Sequence, residues 1–250
     1  MKTVIIIPAR LASSRLPEKA LLAETGKTLI QHVYERAIRV PNVADVIVAT
    51  DHQKIMNAVQ QFGGTVVMTS ADHVSGTDRI AEVANSYPAD CYVNLQGDEP
   101  YTPPEAVSLL VEQMHAHPSA EMGTLATPIQ TEEVYHNPNC VKVVCTEGGK
   151  ALYFSRSPIP YSRDVAADFT VQPPRYLHHL GIYAYRREAL LKLAGMPPHP
   201  LELIEKLEQL RAIAAGWTIQ VGVVQHFGRG IDTPEDYQRF VEDVRTGRFH

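Results

Sequence analysis

Four short apolar runs in the first hundred residues, each followed by a different kind of segment, constrain this chain more than any other feature. Val4-Ile5-Ile6-Ile7 is the first and stops at Pro8. Its β-branched residues and the proline favour a strand buried on both faces over a buried helix. Val46–Thr50, Thr65–Met68 and Cys91–Leu95 follow. Between them, Leu29, Ile30, Val33, Tyr34, Ala37 and Ile38 recur at helical spacing behind a Thr28 cap. Ile55, Val59 and Phe62 mark a second helix face that ends at Gly63-Gly64, and Thr77 caps a third helix carrying Ile80, Ala81 and Ala84. Strand alternating with helix predicts an α/β fold with a mostly parallel sheet and right-handed crossovers.

The second half has another rhythm. Pro103-Pro104 opens a helix to about His115, and Gly123–Ile129 and Val141–Cys145 read as strands. Glu147-Gly148-Gly149 is a turn signal, so Ala151–Ser155 pairs back as a hairpin. Ser157–Pro174 reads as a proline-rich loop and Gly181–Tyr185 as a strand. Leu203, Ile204, Leu207, Leu210 and Ile213 form one stripe, predicting a single amphipathic helix over Leu201–Ala214. Trp217–Val224 reads as a late strand, and Pro234 starts a last helix. With no repeat or linker, 250 residues are expected to form a single domain sharing one sheet, with about 125–190 as a β-rich insert.

Net charge is −5, which argues against a general nucleic-acid binder. No segment reaches membrane-spanning or signal-peptide length. Cys91, Cys140 and Cys145 form neither an even framework nor a C-x-x-C, so all three read as small buried hydrophobes in a reducing compartment. The expectation is a cytoplasmic protein with no membrane or nucleic-acid partner.

Against the acidic trend, Pro8–Lys19 holds Arg10, Arg15 and Lys19 against the single anion Glu18. A loop leaving the carboxyl end of a central strand is where open α/β sheets bind ligands. Cations there suit a phosphate-bearing ligand, although a solvated basic loop has the same composition. Gly26-Lys27-Thr28 imitates the end of a phosphate-binding P-loop, but Leu21 stands where that motif needs glycine. Asp98, in Gln96-Gly97-Asp98-Glu99-Pro100, and Asp232, in Gly230-Ile231-Asp232-Thr233-Pro234, are the carboxylates a magnesium ion could share with a triphosphate. Each has a plainer alternative: Asp98 as a turn residue, and Asp232 or Thr233 as a helix N-cap.

The chain resembles the 3-deoxy-manno-octulosonate cytidylyltransferases over nearly its whole length. The resemblance rests on I-P-A-R-L-A-S-S-R-L-P-E-K at 7–19, A-T-D-H at 49–52, A-D-H-V-S-G-T-D-R at 71–79 and N-L-Q-G-D-E-P at 94–100. It continues in L-Y-F-S-R-S-P-I-P at 152–160, H-L-G-I-Y-A-Y-R at 179–186, P-L-E-L-I-E-K-L-E-Q-L-R at 200–211 and G-I-D-T-P-E-D at 230–236. It implies a Rossmann-like, mixed, mostly parallel sheet flanked by helices, as in GT-A glycosyltransferases and nucleotidyltransferases. It also implies transfer of CMP from CTP to the anomeric hydroxyl of the acidic sugar 3-deoxy-D-manno-octulosonate (Kdo), releasing pyrophosphate and serving lipopolysaccharide biosynthesis.

Carried over residue by residue, Ala9, Arg10, Ser13, Arg15 and Lys19 grip the triphosphate. Thr50, Asp51, His73, Ser75, Arg79 and Gln96 read base and ribose, and Asp98 and Asp232 hold Mg2+. Arg10, Arg15, Lys19, Asp98 and Asp232 form the catalytic set. Gln96, Arg156, His179, Tyr183 and Glu202 hold the sugar, and the insert serves sugar binding and homodimer formation. Tyr183 could equally be a core residue, and Glu202 a solvated first-turn carboxylate. Glu18 is a departure from the family, in which many members carry a small residue there, and is expected to face solvent. Whether Arg229 touches substrate stays open. Competing functions are transfer to sialic acid or 8-amino-Kdo, a GT-A glycosyltransferase, and a non-catalytic nucleotide binder.

Overall fold

The computed structural model describes residues 1–249 and divides them into two units, 1–108 with 227–250 (His250 lying outside the described residues) and 109–226. In the first unit the strands are β1 (Thr3–Ala9), β2 (Asp45–Thr50), β3 (Thr65–Met68) and β4 (Cys91–Asn94). They pair in the order β3-β2-β1-β4, all parallel. Val4 to Ile7 are fully buried, as a central strand covered on both faces requires. β3 lies at the edge of this order, and its residues keep partial exposure.

The helices of this unit are α1 (Leu29–Ala37), α2 (Gln53–Gln61), α3 (Gly76–Ser86) and, after residue 227, α9 (Pro234–Arg245). Thr28 caps α1 by accepting from the Gln31 amide. The third helix starts earlier than its apolar spacing suggested. Ser75 is its cap, in a reciprocal box with Asp78, while Thr77 is buried inside the first turn. A core of Leu16, Leu29, Ile231, Tyr237, Phe240 and Val241 fastens the basic loop and the Asp232 turn to α1 and α9. Each such side chain adds about 1.5–3 kcal/mol on burial, so charged neighbours sit on apolar anchors.

α4 (Pro104–Ala116) carries the chain into the second unit. There β5 (Met122–Pro128), β6 (Lys142–Cys145), β7 (Ala151–Ser155), β8 (Leu177–Arg186) and β9 (Ile219–Val223) mix directions. β5 pairs parallel with β9 and antiparallel with β8; β6 pairs antiparallel with β7 and β8. The expected β6–β7 hairpin is present. The architecture is a mixed, mostly parallel, Rossmann-like α/β fold flanked by helices. The second unit takes in more chain than the 125–190 insert expected from sequence. Two helices, α5 (Glu132–His136) and α6 (Arg187–Gly195), were not foreseen.

The single helix expected over Leu201–Ala214 is two, α7 (Pro200–Glu205) and α8 (Gln209–Ala214). Lys206 caps α7 in the left-handed region at φ 55°, which breaks the helix although the apolar stripe runs on. Leu203 and Ile204 are therefore exposed, whereas Leu207 and Leu210 are buried. Of the cysteines only Cys91 is fully buried; Cys140 and Cys145 are half-buried, and all three are free thiols. Among the described residues no helix is long and apolar enough to cross a membrane.

Candidate active site

The centre of the first unit's site is one ammonium group. Lys19, which opens a 3-10 turn (Lys19–Leu21), donates to Asp98 Oδ2 at 2.5 Å, to the Ile231 carbonyl at 2.8 Å and to Asp232 Oδ1 at 3.1 Å. Arg15 reaches the same Asp232 oxygen at 3.2 Å. Asp98 and Asp232, 79 and 213 positions from Lys19 in sequence, thus share one cation. The backbone arranges this: the Ile231 amide donates to the Asp98 carbonyl at 2.8 Å, holding the two aspartate turns together. The Lys19 side chain is 15% exposed, Asp98 29% and Asp232 47%, so the cluster faces solvent along one edge.

Local chemistry explains why these aspartates are available. Thr233, not Asp232, caps α9, and Asp236 completes the box by accepting from the Thr233 amide and hydroxyl. The capping work done, the Asp232 carboxylate is left for Lys19 and Arg15. Gly97, just before Asp98, is required by close approach. A Cβ there would lie 3.0 Å from the Pro8 carbonyl at the end of β1. Gly228 is tighter still, since its Cβ would fall 2.0 Å from the Tyr101 Cβ.

Beside this cluster a cavity is lined by Ala9, Arg10, Ser13, Lys19, Gln96 and Asp98. Arg229 is exposed and lines a separate depression with Tyr101, Asp236 and Arg239. A further carboxyl was missed in the sequence. Burial, the Asp98 charge beside it and, more weakly, Asp232 push Glu99 up to about 8, against a hydrogen bond from Thr102 that lowers it. Three carboxyl groups therefore crowd one locality, and one of them keeps its proton at neutral pH.

The residues expected to read base and ribose fall into several separate groups. Arg79 is fully buried and its guanidinium pairs with Asp51 at 2.9 Å and with the Thr69 hydroxyl. Burial pulls the Arg79 pKa down, the Asp51 charge pulls it up, and the nearby Arg10 charge lowers it. Asp51 also accepts the Leu11 amide at 3.3 Å, so the pair fixes the start of the basic loop. The Thr50 side chain is buried at the end of β2. Ser75 is spent on the α3 cap, and His73 is bonded to Glu82. Gln96 donates to Asn94 at 3.1 Å. Glu18 faces solvent as expected and pairs with Lys54 at 2.6 Å, but its backbone stands at φ 50°, the left-handed region that favours glycine.

Gln96 apart, the sugar set lies in the second unit and is dispersed into three groups. His179 and Tyr183 on β8 lie with ring centroids 5.4 Å apart, and Phe154 abuts His179 at 4.9 Å. Burial, with a smaller contribution from His178, drives His179 down to about 3, so its ring is neutral. Thr124 gives its hydroxyl proton to a β8 carbonyl, so His179 Nε2, 3.0 Å away, is the donor of their bond and Nδ1 is left as an acceptor. Burial and the charges of Tyr185 and Glu208 hold the Tyr183 hydroxyl protonated. Arg156 sits with Glu205, which sequence reading overlooked. Glu202 is occupied by both a two-pronged pair with Arg211, at 2.6 and 2.8 Å, and the α7 cap. Arg211 hydrogen bonding, outweighing burial, holds Glu202 below the usual carboxylate range.

A cytidylyltransferase family model matches residues 4–219. The chain belongs to the cytidylyltransferase family. It is 46% identical, over 98% of its length and 99% of the relative's, to the 3-deoxy-manno-octulosonate cytidylyltransferase of Syntrophotalea carbinolica. With the enzyme of that name from Escherichia coli it shares 49% identity over 93% of this chain and 92% of the other. Among solved structures, a CMP:2-keto-3-deoxy-manno-octonic acid synthetase complexed with CTP superposes with a TM-score of 0.92 at 46% identity, covering 99% of this chain and 100% of that one. A cytidylyltransferase from Leptospira borgpetersenii, 19% identical with a TM-score of 0.64 over 98% of this chain and 87% of that one, shares the fold.

The donor set of this cytidylyltransferase suits magnesium. Two part-exposed carboxylates already converge on one cation, and magnesium typically takes one or two protein carboxylates, completing its shell with water and phosphate oxygens. Among the described residues no group of three or more His, Cys, Asp or Glu side chains forms a metal cage, so the remaining ligands would come from substrate and solvent.

Proposed function

We propose that this enzyme transfers CMP from CTP to the anomeric C2 hydroxyl of Kdo, releasing pyrophosphate, with Mg2+ at Asp98 and Asp232. The observation that carries the reading is the Lys19 ammonium joined to both aspartates beside a cavity lined by Arg10, Ser13 and Gln96. Near-full-length identity of 46–49% to enzymes named for this reaction supports the choice of nucleotide and sugar.

In the reaction the C2 oxygen attacks the α-phosphorus in line. The O–P bond forms as the bond to pyrophosphate breaks, and the hydroxyl proton passes to solvent. Bound magnesium would neutralise phosphate charge and make the attacking hydroxyl more acidic. Arg10 orients the phosphates, while Lys19 and Arg15 stabilise charge as the α–β bridge opens. Asp51 and Arg79 act behind them, setting the loop that carries Arg10. In the second unit Arg156 binds the sugar carboxylate, and neutral His179 and protonated Tyr183 meet its hydroxyls. Glu202 contributes by holding Arg211.

Three free cysteines support a reducing, cytoplasmic location. Exposed Leu152, Tyr161, Val165, Leu203 and Ile204 on the second unit support self-association as a homodimer. The place of the product in lipopolysaccharide synthesis follows from the sugar. The test is pyrophosphate release from CTP with Kdo, 8-amino-Kdo and sialic acid, with and without magnesium. Kdo and magnesium should both be required. Asp98→Asn should cost roughly 10²-fold in turnover, the scale of losing an electrostatic catalytic group. Near-normal turnover at saturating magnesium would remove Asp98 from the mechanism.

A further inference from the structure

Lys142, the first residue of β6, is fully buried, and nothing so far gives it a purpose. Its ammonium donates to three backbone carbonyls: Cys140 at 2.5 Å, Arg156 at 2.7 Å and Asn137 at 2.9 Å. Three acceptors require three N–H donors, which only the charged form has. All three acceptors are neutral, so the hydrogen bonds solvate the charge without pairing it, and the Glu205 carboxylate offsets it from nearby.

Arg156 is treated in the same way. Its Nε donates to the Glu205 carbonyl at 2.6 Å and a terminal nitrogen donates to the Pro138 carbonyl at 2.9 Å. The Glu205 carboxylate is turned instead to the Arg156 amide at 2.9 Å and the Ser155 hydroxyl at 2.7 Å. Arg156 is thus held on its carbonyl side by Lys142, on its amide side by Glu205 and along one guanidinium edge by carbonyls. Arg156 is half-buried; its other terminal nitrogen reaches the Lys206 carbonyl at 3.5 Å, and donors are still left over. Desolvating an ammonium is costly, and an apolar replacement would leave its three carbonyl partners without a donor. Two fixed cations against the one carboxylate of Glu205 leave a net positive seat for an anion.

The geometry points to Lys142, with Glu205, as the positioning pair for the substrate's carboxylate. Glu205 and Lys142 lock Arg156 in place, and the Lys142 charge reinforces that of Arg156 from behind. The inference rests on the reading of Arg156 as the clamp on the acidic sugar.

The experiment measures rates with Kdo and CTP varied separately, and inhibition by the neutral carboxamide of Kdo. Arg156→Met comes first: an unchanged KM for Kdo would overturn the clamp itself. With the clamp standing, Lys142→Met should raise the Kdo KM about 10-fold or more, the scale of a charged hydrogen bond, and leave the CTP KM within about twofold. Inhibition by the carboxamide should be unchanged, because that ligand brings no charge to the seat. A Kdo KM at the wild-type value, or equal weakening of Kdo and carboxamide, overturns the positioning role. If Lys142→Met does not fold, Lys142→Gln, which removes the charge and keeps two N–H donors, carries the same test with the same two readings.

Discussion

Replacing Lys19 with methionine keeps the length of the side chain and removes its charge. In the enzyme without nucleotide or metal, this deletes three hydrogen bonds and leaves Asp98 and Asp232 without the cation they share. The size of the effect follows from exposure. A fully exposed ion pair contributes about 0–1 kcal/mol, whereas breaking a buried one costs about 3–5 kcal/mol. With side chains 15%, 29% and 47% exposed, the cluster lies between these limits, at about 1–3 kcal/mol. For a chain of this length that is a fall of roughly 2–12 °C in Tm. The substitution should then act in opposite directions on the stabilisation by magnesium and on the rate. In Lys19→Met the aspartates no longer have an internal cation to displace, so magnesium alone should raise Tm more than it does in the wild type. Turnover should nevertheless fall roughly 10²-fold, because the charge that meets the opening α–β bridge is gone. Thermal melts in EDTA and in magnesium, alongside pyrophosphate release, measure all three quantities. A variant as stable as the wild type in EDTA, with the same magnesium response, would refute competition of ammonium and metal for one pair of carboxylates. A change confined to the sugar KM would refute the placement of Lys19 at the phosphates.

Two further predictions concern the scaffold. His179 has a folded-state pKa of about 3, below the ordinary 6.5, so the unfolded chain takes up the proton first. Its stabilising contribution is complete above about pH 6.5 and is lost as pH falls towards 3, at about 1.4 kcal/mol per pH unit. Unfolding free energies from urea titrations at pH 7.5 and 5.0 should therefore differ by about 2 kcal/mol more in the wild type than in His179→Gln, and equal differences would contradict a buried neutral ring. Glu18→Gly should leave Tm unchanged or raise it by up to about 3 °C. It relieves a left-handed residue at about 1 kcal/mol and gives up an exposed pair with Lys54. A clear loss of stability would mean that the Lys54 pair matters more than its exposure allows.

How much of this was legible in the sequence depended on the range of the physics involved. The parallel strands were readable because a strand buried on both faces must be apolar throughout, and Val4–Ile7 is so. The starts of α1 and α9 were readable because caps act within three or four residues. Failures came where a local rule had two solutions. Thr77 and Ser75 could each have begun α3, and the reciprocal box with Asp78 decides for Ser75. The stripe from Leu203 to Ile213 continues across a left-handed Lys206 that hydrophobic spacing cannot detect.

The site divides along the same line. The two plainer alternatives for the aspartates were both local: a turn at Asp98 and a cap at Asp232. The structure answers the second locally, since Thr233 and Asp236 form the cap and Asp232 is released. What remains is long-range: Lys19 joins carboxylates 79 and 213 residues away, which no spacing rule can express. The resemblance named Lys19, Asp98 and Asp232 through their motifs, but it implied magnesium, not Lys19, as the partner of the aspartates. Lys142 lies outside the motifs of the resemblance, and Glu205 lies inside one without an assigned role. Their roles exist only in the folded arrangement. A buried lysine looks like any lysine in sequence, and its meaning lies in the three carbonyls that surround it. On the proposed reading, sugar binding depends on a supporting pair, Lys142 and Glu205, whose role neither spacing nor motif identified, and Lys142→Met tests that dependence where the substrate's own charge can report it.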